Sequence, residues 1–402
     1  MDDVRVNSQS LWPMSQLKTV HMTSVHTPLD PRIFHKECRS LARAGFAVTV
    51  IGADWKEAEQ DHVRIKPIPG SASRLRRMTR TGFDMYQEAV RQNADVYHFH
   101  DPELIPIGLL LRAKGKKVIY DIHEDMPKEI LSKPYLPKWS RELVSRIVGT
   151  IENFASARFS GLVVVTPSIA KRFARLNPQT IIVHNYPYAA ELVGEDTRRP
   201  WDSRRHSVAC VGGLTLHRGI REMVQAMALL PLSLPATLEL AGPQSKDDAH
   251  IMELRRHPGW ARVHHHGFID QQHTFRILQS VRAGLVLYHP EPNQVESMPQ
   301  KIFEYMGAGI PVIASDFPLW RKIIGDADCG YFVDPLDRNA IAKMIAYVLT
   351  HPSEAEAMGR RGQAAVLAQY NWDTEAKKLI ALYSQFRTDR LGNHADTRAI
   401  PN

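Results

Sequence analysis

Short apolar runs alternate with amphipathic helical patterns from near one end of this sequence almost to the other. Each run is too short for a buried helix and is bounded by turn residues, so the alternation signals parallel sheets wrapped by helices. In the first half it predicts strands at 18–24, 47–51, 96–99, 117–121, 161–166 and 180–184, with helices at 32–44 and 141–157. In the second half it predicts strands at 207–211, 237–241, 263–266, 283–288, 311–315 and 330–333. Helices are expected there at 220–230, 273–280, 301–308, 338–350 and 352–370. Residues 186–205 are polar, charged and aperiodic, as expected of an interdomain linker. The simplest architecture is α/β, with two Rossmann-like doubly wound parallel-sheet domains that bind ligands in a cleft at the carboxyl ends of their strands. The expected boundaries are a disordered tail over 1–16, a first domain over 17–190, a linker over 191–205, a second domain over 206–370 and a disordered tail over 388–402.

A chain of 402 residues is long enough for two ordinary cores. No apolar run approaches the roughly 18 residues that span a bilayer, and residues 1–17 lack the apolar stretch of a secretory signal. Cys38, Cys210 and Cys329 are far apart, with neither metal-binding nor redox spacing, and are read as reduced thiols inside cores. A cytoplasmic protein is expected. The net charge of +8 is concentrated in residues 1–195, where 27 Lys and Arg face 21 Asp and Glu. Arg74, Arg76, Arg77 and Arg80 lie beside Leu75, Met78 and Phe83, and Lys133, Tyr135, Lys138, Trp139, Arg141 and Arg146 form a second group. Cations mixed with apolar side chains suit an anionic membrane surface, so peripheral contact with the inner face of the membrane is expected. A solvated basic helix face is the plainer reading. No nucleic-acid motif or long basic stripe occurs.

The most informative segment is Glu296-Ser297-Met298-Pro299-Gln300-Lys301-Ile302-Phe303-Glu304, which ends at Gly307 and Gly309 before a strand. Its local chemistry predicts a short helix with Ser297 as N-cap, Gln300 closing a capping box and Pro299 in the first turn. Such a helix start favours an anion such as a diphosphate, and Lys301 adds a full charge there. Glu304, one turn on, can accept hydrogen bonds from vicinal hydroxyls. Glu296 precedes the helix across the anion position.

Two glutamates with seven residues between them, followed by small-x-Gly-x-Pro-Val, resemble the signature of the retaining GT-B glycosyltransferases of family 4 (group 1 glycosyltransferases). The Pro-x-Lys-x-Phe-Glu form resembles a branch of that family common in bacterial polysaccharide assembly. The resemblance implies that Glu304 binds the donor ribose and Glu296 the hexose hydroxyls. Val208 to Gly219 is similar to the family's Gly-Arg-Leu-x-x-x-Lys-Gly loop, whose cations hold the donor diphosphate. Arg218 stands at the lysine position, and Gly213, after Gly212, replaces the arginine. Lys301 is the natural substitute for the missing cation. The donor-binding set expected is Gly212, Gly213, Arg218, Glu296, Ser297, Met298, Pro299, Lys301 and Glu304.

Residues 97–103 and 120–125 place polar groups directly after apolar strands. The second resembles the family's strand-then-His segment, which implies that His123 approaches the transferred hexose. His123, Glu296, Arg218 and Lys301 are therefore the expected catalytic set. His100 and Asp101 are cleft candidates or buttresses. Asp30 and Arg32 contact acceptor or phosphate, or cap the helix that follows. Asn185 is expected to be structural. The helix at 371–387 is similar to the family's closing segment, which crosses back to the first domain.

The chain carries no Gly-x-Gly-x-x-Gly after a strand and no Walker lysine loop, so dinucleotide and ATP readings lack support. Asp326-Ala327-Asp328 matches a metal-binding spacing but sits in a predicted turn. His264, His265 and His266 alternate sides of a strand and cannot converge on one metal. No metal or resident cofactor is expected. The expected function is transfer of a hexose from a UDP- or GDP-sugar to a lipid-linked or polysaccharide-precursor acceptor. A sugar-nucleotide epimerase or hydrolase of the same fold is the alternative, as is a non-catalytic subunit that binds a partner.

Overall fold

The computed structural model describes residues 16–71, 73, 77–132, 136–188, 190, 200–243 and 249–396. The chain divides into two compact units, one reaching His184 and resuming at Glu375, the other Asn185–Thr374. The first unit holds β1 (Lys18–Thr23), β2 (Ala47–Ala53), β3 (Ala58–Gln60), β4 (Val63–Ile68), β5 (Val96–Phe99), β6 (Lys117–Ile122), β7 (Gly161–Val164) and β8 (Thr180–Ile182), in the order β3-β4-β2-β1-β5-β6-β7-β8. All pairs are parallel except the β3–β4 hairpin. That hairpin, absent from the sequence reading, turns on Asp61 and His62, both at positive φ, as a two-residue turn requires. Order reverses between β1 and β5, so their carboxyl ends form the first unit's switch point.

Alternation along these strands sorts their side chains by face. Val20, Met22, Tyr97, Phe99, Val118, Tyr120 and Ile122 join one apolar core. The opposite face carries His21 and His98, which are paired in register, with His100 and Asp121 further along. Helix α1 begins with wide π-type turns at Pro31–Cys38 and continues as an α-helix through Arg39–Arg43. Such turns are rare and often mark functional positions. Its buried residues include Arg32 and Glu37. Helix α2 spans Lys138–Ser156 and buries Ser145, Gly149, Glu152, Ala155 and Ser156.

The second unit holds β9 (Ser207–Val211), β10 (Thr237–Ala241), β11 (Val263–Gly267), β12 (Ala283–Val286), β13 (Val312–Ser315) and β14 (Gly330–Val333), in the order β11-β10-β9-β12-β13-β14. Here order reverses between β9 and β12. Helix α3 (Gln300–Gly307) links β12 to β13 and ends in a Schellman turn, with Ile310 N–H donating to Tyr305 C=O and Gly309 N–H to Met306 C=O. Helix α4 (Trp372–Asp396) starts in the second unit and continues in the first.

Three expectations change. Residues 201–205 are not free linker: Trp201 joins the second unit's core, and Arg204 stacks 4.9 Å over its ring while donating to Val281 and Ala308 carbonyls. Residues 388–396, expected as tail, form the last turns of α4. Ser297 does not cap α3. Pro299 occupies the N-cap position without a side-chain bond, Ser297 Oγ donates back to Gln294 C=O, and Gln300 Nε2 donates to Asn185 C=O. An adjacent short helix, Pro292–Val295, and Trp320, whose Nε1 donates to Ser297 C=O, out-compete the local capping pattern. Arg74, Leu75, Arg76, Lys133, Tyr135 and the outermost parts of both expected tails lie outside the described residues, as does most of the expected linker.

Candidate active site

In the second unit, β9 runs into Gly212 and Gly213, and β12 into Leu287 and Tyr288, the two strand ends that flank the switch point. Gly212 adopts φ +95°, which an L side chain rarely accepts. Tyr305 of α3 lies across Gly284, where a Cβ would come within 2.1 Å of its ring. Its hydroxyl accepts from Val211 N–H at 3.0 Å, tying α3 to the end of β9, next to the glycine turn. His217 Nδ1 lies 2.6 Å from Glu291 Oε1, which joins the turn carrying Arg218 to the loop after β12.

These ties bring the expected cations together. A Cβ on Gly212 would lie 3.8 Å from Lys301 Nζ and 3.9 Å from Arg218 Nη1. Both cations also flank Tyr288, at 5.3 and 5.5 Å from its ring centroid. Arg218 Nη1 donates to Gly213 C=O at 3.2 Å, and Lys301 Nζ meets Cys210 Sγ at 3.8 Å. Lys301 is 5% exposed, and among the described residues neither cation has a carboxylate partner. Glu304 follows one turn along α3 and Glu296 caps the carboxyl end of the Pro292–Val295 helix; both are half-buried, as are Ser297, Met298 and Pro299. Asn185 C=O accepts from Gln300 Nε2 at 3.0 Å.

The first unit's switch point is different in kind. Asp101, after β5, organises the loop after β1: its Oδ2 accepts from Thr23 Oγ1 at 2.8 Å, Ser24 N at 2.6 Å and Val25 N at 3.2 Å. Asp30 caps α1, accepting from Arg32 and Ile33 N–H. Arg32 is 4% exposed and grips Asp121 with two bonds of 3.0 Å, while donating to Val183 C=O and facing Glu37 at 3.0 Å. Asp121 also accepts from His100 Nδ1 at 3.1 Å and His123 Nε2 at 2.7 Å. Burial alone would raise the Asp121 carboxyl, but Arg32 and the histidines hold it well below the usual range. Burial lowers His21, His98 and His100 and raises Glu37. His123, at 22% exposure, is the accessible edge of this network, with the His26 ring 5.8 Å away.

Two groups there could hold a metal: His21, Glu37, His98 and His100, and His100, Asp121 and His123, each with donor atoms within 4.8 Å of one another. Asp326 and Asp328 take no part; Asp328 pairs with Arg361. His264 and His266 both face Glu239, while His265 turns to Trp260. Sequence reasoning missed Tyr288, Tyr305, Glu37, His21, His98 and Tyr383. Period-two spacing (His21 with Thr23, His98 with His100, Asp121 with His123) was the available signal for the histidines.

Comparison with known proteins agrees with this geometry. Residues 31–185 match the profile of Glycosyltransferase Family 4, and residues 195–365 that of glycosyl transferases group 1. The MMP alpha-(1->4)-mannosyltransferase of Mycolicibacterium hassiacum is 22% identical, over 71% of this chain and 70% of that protein. The phosphatidyl-myo-inositol mannosyltransferase of Mycobacterium leprae is 23% identical, over 81% of this chain and 83% of that one. Anabaena Alr3699/HepE, solved in complex with UDP, superimposes with a TM-score of 0.69 and 14% identity, covering 92% of this chain and all of that one. With two parallel-sheet units, each matching one of these profiles, the chain is a GT-B glycosyltransferase of the group 1/family 4 kind.

Proposed function

We propose that the protein transfers a hexose-type sugar from a nucleoside-diphosphate sugar to a lipid-linked or polysaccharide-precursor acceptor, with retention at the anomeric carbon. The observation that carries this is the pair Lys301 and Arg218, converging on the Gly212 turn with no ion pair to a carboxylate among the described residues. A buried ammonium without a counter-charge is costly, so such a site suits an anionic ligand. A diphosphate supplies the charge, and the UDP bound by HepE is of that class. Glu304 takes the ribose hydroxyls, and Glu296 and His123 the hexose.

During transfer the bond from the anomeric carbon to the phosphate oxygen breaks, and the acceptor oxygen bonds to the same face. The acceptor's proton passes to the departing phosphate, so no protein base is needed. Negative charge gathers on that phosphate, where a single well-placed donor typically contributes ~3 kcal/mol. Lys301 and Arg218 supply that stabilisation.

Helix α2 supports the lipid-linked acceptor. Trp139, Leu143, Ile147, Ile151 and Phe154 recur at helical spacing and are exposed by 51 to 83%, while its inward face is small and polar. Lys138, Arg141 and Arg146 accompany them. An apolar stripe edged by cations suits the interface of an anionic membrane. No helix among the described residues is long and apolar enough to cross one. In flotation with anionic vesicles, the wild type should rise with the lipid and Ile147→Ser with Trp139→Ser should not. Equal flotation of both would remove the membrane from the reading.

The donor site is tested by a thermal-shift screen of UDP-, GDP- and other nucleotide sugars against wild type and Glu304→Ala. At 100 times Kd a bound nucleotide adds about 2.7 kcal/mol to wild-type stability. The variant should lose most of that gain. If no nucleotide sugar raises the wild-type midpoint, the reading is wrong. With labelled donor, label on the acceptor separates transfer from simple hydrolysis.

A further inference from the structure

The polar face of the first unit's sheet holds more buried histidine than sugar transfer uses; hydrogen bonds connect those rings to Asp121 and to Tyr383, which also bonds Thr19. His123 Nε2 donates to Asp121 Oδ2 at 2.7 Å, and His100 Nδ1 donates to the same oxygen at 3.1 Å. His100 Nε2 meets His21 Nδ1 at 3.0 Å. His21 Nε2 meets the Tyr383 hydroxyl at 3.1 Å, and that hydroxyl meets His98 Nδ1 at 2.8 Å. His21, His98, His100, Asp121 and Tyr383 are each at most 2% exposed, so bulk solvent does not reach these bonds.

Because an ionised carboxylate only accepts, Asp121 orders the protons outward from its own end. His100 must carry its proton on Nδ1, which leaves Nε2 to accept from His21 Nδ1–H. His21 Nε2 then accepts from the Tyr383 O–H, and the Tyr383 oxygen accepts from His98 Nδ1–H. This order ends at His98 Nε2, a buried atom with no partner. At the other end, the His123 ring keeps its Nδ1 lone pair outside it. The order is self-consistent with the three buried imidazoles, His21, His98 and His100, neutral.

We propose that Tyr383 is a positioning residue for His123. By donating to His21 Nε2 it closes at the far end the order that Asp121 starts, so that His21 keeps Nδ1–H for His100 and His100 keeps Nδ1–H for the oxygen that also binds His123. The proposal rests on the reading of His123 as a contact of the transferred sugar. It gives a task to α4, a helix whose residues before Glu375 belong to the second unit. A resident metal at His21, Glu37, His98 and His100 is the competing use of the same atoms. Charge opposes it. Arg32 already balances Asp121 and stands 3.0 Å from Glu37, so a dication would leave at least one buried positive charge uncompensated.

The test combines kinetics with imidazole nitrogen spectra of the full chain. Tyr383→Phe should lower kcat about tenfold while KM for the donor sugar stays within about twofold, the scale of coupling through packed networks. In the wild type, the 15N spectrum should show His21 and His100 protonated at Nδ1 and His123 at Nε2; in Tyr383→Phe the His123 signals should become those of mixed tautomers. A wild-type spectrum with His21 or His100 protonated at Nε2 overturns the proposal even if the variant does not fold. So does a Tyr383→Phe enzyme with unchanged kcat and His123 signals, provided His123→Ala is inactive. If His123→Ala transfers sugar at the full rate, the reading of His123 itself fails. One equivalent of zinc in the purified wild type overturns the proposal in favour of a metal site.

Discussion

The two switch points share a topology and differ in how their charges are settled. Between β1 and β5 the acids and bases answer one another: Arg32 takes Asp121, Asp101 takes the loop after β1, and the rings of His21, His98 and His100 stack within 4.6 to 5.3 Å. Between β9 and β12 the protein supplies glycine backbone, an aromatic face and two cations, which form no ion pair with a carboxylate among the described residues. The first arrangement holds groups rigid before substrate arrives. The second, on the proposed reading, is completed by an anion from outside. A doubly wound sheet therefore fixes where chemistry can gather, while side-chain neutralisation decides whether the place is scaffold or binding site.

The contrast is broken most severely by exchanging one cation in each unit for methionine. Arg32→Met strands Asp121 inside the protein and should cost about 3–5 kcal/mol of stability, read from urea unfolding. Lys301→Met removes a charge that has no carboxylate ion-pair partner among the described residues, so stability without nucleotide should change by less than about 1.5 kcal/mol. Its kcat should nevertheless fall by about 10²–10³, as for loss of one transition-state donor. If both variants lose stability alike, the distinction between the two switch points is false.

Acid sharpens the comparison with a smaller effect. Burial depresses His21, His98 and His100 in the folded state, so between the unfolded value of about 6.5 and their lower folded values the unfolded chain binds more protons. Stability present above that value is lost as pH falls, by about 1.4 kcal/mol per pH unit for each histidine. Glu37 works the other way, because its raised folded pKa makes its contribution greatest in acid and lost as pH rises. Three histidines outweigh one glutamate, so the unfolding midpoint should drop between pH 7 and 5. A flat midpoint across that range would mean that these histidines are not buried and neutral.

Much of the fold could be read from the chain because strands and helices are local. Val96–Phe99, Ser207–Val211, Thr237–Ala241 and Gly330–Val333 lie where the apolar runs place them. The β3–β4 hairpin escaped because β3 is wholly exposed and shows no apolar run. The capping box at Ser297 and Gln300 failed because both side chains found partners outside α3. At the donor side, Arg218, Lys301 and the glycine turn were legible as cations beside phosphate-compatible backbone. Tyr288 was not, since a tyrosine at the end of an apolar strand looks like core.

By itself the sequence determined which residues end strands, where glycine permits a turn, and that Asp121 and His123, like His98 and His100, share a strand face. These follow from a two-residue repeat and a positive φ, both set by near neighbours. Only the tertiary structure decided that β1, β5 and β6 lie side by side, that Tyr305 ties α3 to the end of β9, and that Tyr383 reaches His21 across 362 positions of chain. Such pairs are chosen when sheet order and helix packing bury whole surfaces together, a choice no local pattern carries.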